Sequence, residues 1–142
     1  MSPARVPVDT RAELTALMHE FFSAVSFGRG QVPPYPRIRR LFIDGGMLIN
    51  GSKAAPEILS VETFIASRQQ LVDSGALTAF EENEVAATTE LFGNVAHRFS
   101  TYTKRGLLHS APLAARGRIS TQFVRTPKGW KMSSMAWDDE RP

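Results

Sequence analysis

The sequence predicts an α+β fold, with helices packed on one face of a mostly antiparallel sheet. Three observations lead there. Before residue 76, the stretches 9–28 and 60–75 carry apolar residues at helical spacing. From residue 76 onward the chain is rich in β-branched and aromatic residues. The strand-like runs in that second half are punctuated by Gly-containing turns. A chain of 142 residues fits one domain, here 1–142.

The first helix is expected over residues 9–28. Leu14, Leu17, Met18, Phe21, Phe22 and Val25 form its apolar face. Asp9 or Thr10 would cap it, with Glu13 completing a capping box from Thr10, and Gly28 and Gly30 would end it. After the connector "QVPPYP", the stretch "YPRIRRLF" predicts a short second helix with Pro36 in its first turn. "LFIDGGMLIN", residues 41–50, reads as a strand broken by a bulge or tight turn at Gly45-Gly46. "GSKAAPEIL" reads as a loop. Ser60 then caps a third helix that ends at Gly75, with Val61, Phe64, Ile65, Leu71 and Val72 as its stripe. Four strand-like runs follow, over 76–93, 94–106, 116–129 and 129–140, and residues 106–117 read as a longer loop between the second and third.

Composition excludes several functions. There is no cysteine, hence no disulfide, thiolate nucleophile or Cys-based metal site. His19, His97 and His109 lack metal-ligand spacing, so no metal or other cofactor is expected. No G-x-S-x-G elbow or phosphate-cradling glycine loop is present. The start "MSPARVPVDTRAEL" lacks the apolar stretch of a signal peptide, and no apolar run is long enough to span a membrane. With no cysteine, that pattern makes the expected compartment the cytoplasm. Net charge is +3, and between Glu90 and Asp138 there are eight basic residues and no acid. No aromatic-interleaved basic motif accompanies them, so a solvated face is expected rather than a nucleic-acid surface.

The chemistry-bearing stretch is "TELFGNVAHRFSTYTKRG", residues 89–106. If Gly93-Asn94 forms a two-residue hairpin turn, Glu90 faces His97, Thr88 faces Phe99 and Phe92 faces Val95. Opposed side chains lie about 4.5–5.5 Å apart at Cβ, so carboxylate and imidazole can hydrogen-bond. Such a contact would raise the His pKa and orient the ring for acid–base work. Phe92, Val95, His97 and Phe99 form the larger apolar set, which places His97 inside, with Glu82 and Glu84 on the same face toward the mouth. In the last hairpin, "TPKG" is the turn. Ile119, Thr121, Phe123, Trp130, Met132 and Ala136 would share one face. Ser120, Gln122, Met135 and Trp137 would share the other, with Arg118 opposite Trp137. Tyr35 and Tyr102 are candidate hydrogen-bond donors in a pocket.

The element order, with "TELFGNVAHRFSTYTKRG" and "RGRISTQFVRTPKGWKMSSMAWDDE" (residues 116–140), resembles the NTF2-like (SnoaL-like, cystatin-like cone) superfamily, in an uncharacterised bacterial branch. The resemblance implies a curved sheet wrapped into a cone, often holding a pocket, and often a homodimer through the outer sheet face. Members include polyketide cyclases, ketosteroid isomerase, scytalone dehydratase and many binders without activity, so fold does not decide function. No isomerase-type Asp motif aligns; Asp44 sits on the first strand among residues that match none. The expectation is a domain holding a small, mostly apolar molecule in its cone. Glu90 and His97 would orient the ligand, and Asp44, Phe99, Tyr102 and Trp130 would touch it. The alternatives are an isomerase, dehydratase or cyclase using His97 with Glu90, and a dimeric interaction module whose cone is filled.

Overall fold

Residues 8–142 are described by a computed structural model of the chain. Residues 1–7 lie outside that range, and with them the start of the expected domain and the first half of the segment read for a signal peptide. Helix α1 runs over Val8–Val25 and buries Leu14, Met18, Phe21, Phe22 and Val25, as their spacing predicts. It stops short of the expected Gly28. Phe27 instead pairs in an antiparallel bridge with Phe80, which takes its backbone out of the helix. Thr10 lies inside α1 and is buried, so the expected capping box does not form. Glu13 instead accepts a hydrogen bond from the Trp130 backbone N–H at 2.8 Å.

A 3-10 helix, Tyr35–Leu41, carries Pro36 in its first turn and buries Tyr35, Ile38 and Leu41. Helix α2, Val61–Asp73, begins as expected: the Ser60 hydroxyl accepts from the Thr63 N–H at 3.1 Å.

The strands are β1 (Phe42–Asn50), β2 (Glu57–Ser60), β3 (Leu77–Phe92), β4 (Val95–Leu108), β5 (Ala111–Thr126) and β6 (Gly129–Asp139). They form one six-stranded sheet in the order β2-β1-β6-β5-β4-β3. Only the β1–β6 pairing is parallel. The β1 register breaks between Phe42 and Met47, where Gly45-Gly46 predicts an irregularity. The α+β expectation therefore holds, with two corrections. The expected loop over 51–59 contains β2, which pairs Ile58 with Ile49. The expected loop over 106–117 is a continuous hairpin in which Leu108 faces Ala111. Its turn residues His109 and Ser110 have φ of 50° and 64°, the pattern of a type I′ turn. His109-Ser110 is not one of the Asn-Gly, Asp-Gly or Gly-Gly pairs that mark such a turn, so the turn is hidden in the sequence.

Two of the β-bulges decide on which face the candidate side chains lie. In β3 the register shifts between Glu84, opposite Tyr102, and Ala86, opposite Thr101, leaving Val85 unmatched. In β6 it shifts between Ser134, opposite Gln122, and Met132, opposite Phe123, leaving Ser133 unmatched. One extra residue reverses every side chain beyond it. The helices cover one sheet face, and the core lies between them, built on the sheet side from Leu48, Ile119, Phe123, Trp130, Met132 and Met135.

Candidate functional site

The β3–β4 hairpin has the expected register. Gly93 takes φ 56°, a conformation natural to the first turn position of a type II′ hairpin, and Glu90 faces His97. The His97 Nε2 and the Glu90 Oε1 are 2.7 Å apart. The face, however, is the opposite of the one expected. The side chains are 49% and 75% exposed, on the side of the sheet away from the helices. Phe92 at 85%, Val95 at 53% and Phe99 at 48% lie on the same outer face. The bulge at Val85 is the cause on β3: Glu82 and Glu84 turn inward, while Glu90 and Phe92, beyond it, turn outward. On β4 the inner side chains are Ala96, Arg98, Ser100 and Tyr102, all buried.

The bulge at Ser133 corrects the last hairpin in the same way. Met135 and Trp137, expected outside, turn inward, and Ala136 turns out. Ile119, not Arg118, faces Trp137; Arg118 faces Asp138 and lies over the Phe99 ring at 5.6 Å on the outer face. Met135 and Trp137 therefore leave the face expected to form a dimer.

Between helices and sheet lies a cavity of about 220 Å³. Its walls are mostly apolar: Val25 of α1, Phe64 and Leu71 of α2, Leu108 of β4, Leu113 of β5 and Trp137 of β6. Of the ligand-contacting residues expected from the sequence, only Tyr102 lines it. Asp44 is exposed at the β1 irregularity. Phe99 is on the outer face. Trp130 is buried, with the Arg125 guanidinium 5.0 Å from its ring centre, and does not reach the cavity wall.

The polar end of the cavity is made by Tyr35, Arg68, Glu82, Tyr102 and Lys104. Glu82 and Lys104 face each other across β3 and β4. Lys104 nevertheless pairs elsewhere, its Nζ 3.0 Å from the Asp139 Oδ1. The Tyr102 hydroxyl donates to the Asp139 carboxylate, with the Asp138 carbonyl oxygen 3.1 Å away. Burial, with the neighbouring acidic oxygens, pushes that phenol well above its ordinary range. The ring is seated against Gly117, where any Cβ would collide with the hydroxyl. Glu82 is left without a hydrogen-bonding partner among the described residues. Burial pushes its carboxyl up to about 7; Lys104 and Arg68 oppose the rise and Asp139 adds to it. Tyr35 is 1% exposed, and its hydroxyl too has no partner among the described residues. Burial pushes it up to about 12, against the pull of Arg68.

In the sequence, parity alone puts Glu82 near the mouth, and Tyr35 is a candidate donor. Arg68 and Lys104 carry no signal in the sequence, since both read as charges on solvated faces. Among the described residues no cluster of His, Asp and Glu suited to a metal ion is present, and no helix is long and apolar enough to cross a membrane.

A second inward carboxylate has a different setting. Glu84 holds Arg98 by two hydrogen bonds, Nε to Oε2 at 3.0 Å and Nη2 to Oε1 at 2.6 Å. Ser100 donates to the same carboxylate at 2.6 Å, and Arg98 Nη1 reaches Thr15 on α1 and Thr89 on β3, each at 3.1 Å. Burial would raise Glu84, but the bonds from Arg98 and Ser100 and the Arg98 charge pull it below the usual carboxylate value. This fully bonded cluster pins α1 to the sheet.

No protein-family model matches the sequence, and no curated protein matches it. Solved structures do match in shape. An NTF2-like superfamily protein from Salmonella enterica aligns with TM-score 0.77 at 11% identity, over 94% of this chain and 93% of its own. An NTF2-like protein from Cytophaga hutchinsonii gives 0.72 at 14% identity, over 92% and 98%. An uncharacterised protein with a cystatin-like fold from Caulobacter vibrioides gives 0.73 at 11% identity, over 94% and 92%. With three helical segments on a six-stranded, mostly antiparallel sheet, the chain has the NTF2-like, cystatin-like fold.

Proposed function

We propose that the protein binds a small, mostly apolar molecule in its cone, with the polar end of the ligand against Glu82 and Tyr35. One observation carries this reading: an apolar cavity holding a carboxyl and a phenol hydroxyl that no described residue satisfies. Neither group is sealed off by protein, so an entering ligand can supply the missing bonds. A few placed polar groups in an otherwise apolar pocket are also what orients a small ligand. The acid–base alternative built on His97 and Glu90 loses its geometric basis, because that pair opens to solvent on the far side of the sheet.

The test is displacement of a hydrophobic fluorescent dye by small apolar compounds, with Leu113→Trp as the control that fills the cavity. Leu113 is only partly buried, so the larger side chain is expected to enter the cavity without unfolding the chain. Binding that the variant abolishes is expected. Binding equal in wild type and variant would put the ligand elsewhere and sink the reading.

A further inference from the structure

We propose that the ligand is the anion of a monocarboxylic acid with an apolar body, its carboxylate received by Arg68 beside Tyr35 and Glu82. This rests on the cavity being the binding site. The argument begins with the charges at its polar end. Lys104 is matched by Asp139 at 3.0 Å. Arg68 has no ion pair among the described residues; its guanidinium lies 4.9 Å from the Phe64 ring centre, and both side chains line the cavity. Stacking of this kind holds the planar group in place and leaves its N–H donors free for a carboxylate, the partner its fork geometry fits.

The neighbouring groups fit the same ligand. Tyr35 adds an O–H donor that has no partner among the described residues and lies within the electrostatic reach of Arg68. Glu82 feels Arg68 as well, so the three polar groups converge. The groups facing Glu82 are Lys104 and Tyr102 from β4, Arg68 from α2, Tyr35 from the 3-10 helix and Asp139 from β6. With Lys104 and Asp139 cancelling, the balance is Arg68 against Glu82. While Glu82 is protonated the end of the cavity carries one uncancelled positive charge, and a monoanion neutralises it. A protonated Glu82 can also donate its O–H to that anion. A neutral ligand leaves the charge unmatched, and a cation adds to it. Once Glu82 ionises, two carboxylates share one guanidinium and binding weakens.

Calorimetric titration of the full chain with octanoate, octanamide and octylamine tests this, since the three share a body and differ in head-group charge. Octanoate is expected to bind about tenfold or more tighter than octanamide near pH 6, as a charge-assisted pair implies. The octanoate affinity is expected to fall about tenfold by about pH 8 as Glu82 loses its proton. Arg68→Gln should erase the preference for octanoate and keep the octanamide affinity, which also reports an intact fold. Glu82→Gln should keep the preference and flatten the pH dependence. Equal binding of octanoate and octanamide, tighter binding of octylamine, or an octanoate affinity independent of pH would each overturn the inference and leave cavity binding standing. No binding by any of the three in wild type would overturn both.

Discussion

Two acid–base pairs cross the same β3–β4 hairpin, and they differ in almost everything except chemistry. Glu84 and Arg98 have side chains 7% and 8% exposed and bond to Ser100, Thr15 and Thr89 besides each other. Glu90 and His97 are 75% and 49% exposed and bond to each other across the outer face. The inner pair trades a desolvation cost for many short bonds, and neither partner can lose the other without stranding a charge. The outer pair keeps its hydration whether or not it forms, so its contribution is small. A close Glu–base contact is therefore no sign of function, and on this hairpin the carboxylate worth following is Glu82, which has no partner among the described residues.

The largest expected effect is on the inner pair. Arg98→Ala leaves the Glu84 carboxylate buried and is expected to cost about 3–5 kcal/mol in chemical denaturation. Replacing Glu84 and Arg98 together by apolar residues of similar volume should cost clearly less than the sum of the two single changes. Additivity would mean that the pair is not coupled as its geometry implies.

Glu82 lies between the two cases. Its folded-state pKa, about 7, is above its ordinary 4.5, so the folded protein binds the proton more tightly than the unfolded chain does. Stability from this group is then undiminished below about pH 4.5, falls as pH rises toward about 7, and stays reduced above that. Glu82→Gln should raise stability by about 1–3 kcal/mol near pH 8 and leave it unchanged near pH 4. A variant equally stabilising at both pH values would show that the carboxyl is not held protonated by its site.

The smallest effect is expected at the outer pair. His97→Ala should change stability by less than about 1 kcal/mol, with the difference shrinking as salt is added. A larger, salt-insensitive loss would mean that this face is covered in solution.

Much of the fold was legible because its signals are periodic. The α1 stripe from Leu14 to Val25, the Ser60 cap and the Gly93-Asn94 turn each depend on local chemistry, and each holds. The hairpin register held as well, down to Glu90 opposite His97. What failed was the assignment of faces, because alternation counts residues and a bulge adds one without changing composition. Val85 and Ser133 look like ordinary strand residues, yet each reverses the face of the residues beyond it. That is why Glu82 and Trp137 reach the cavity; His97 and Phe99 sit on β4, which has no bulge, and the apolar set they share with Phe92 and Val95 faces outward. The polar end was hidden for another reason. Arg68 and Lys104 read as solvated charges, and only the folding of α2 over the sheet, across the cavity from β4, brings them to one place.

The bulge in β3 has a second consequence, for solubility. β3 is a 16-residue strand at the edge of the sheet, a length that invites pairing with another chain. Near its start the free edge is already occupied: Phe80 exchanges backbone bonds with Phe27, and the Glu82 N–H donates to the Ser26 hydroxyl at 3.1 Å. Past that cover comes the irregularity at Val85, in a segment that carries the exposed Glu81 and Glu90. A kinked, acidic edge is a poor template for strand addition. The same residue that points Glu82 into the cone thus helps keep separate copies of the protein from joining edge to edge.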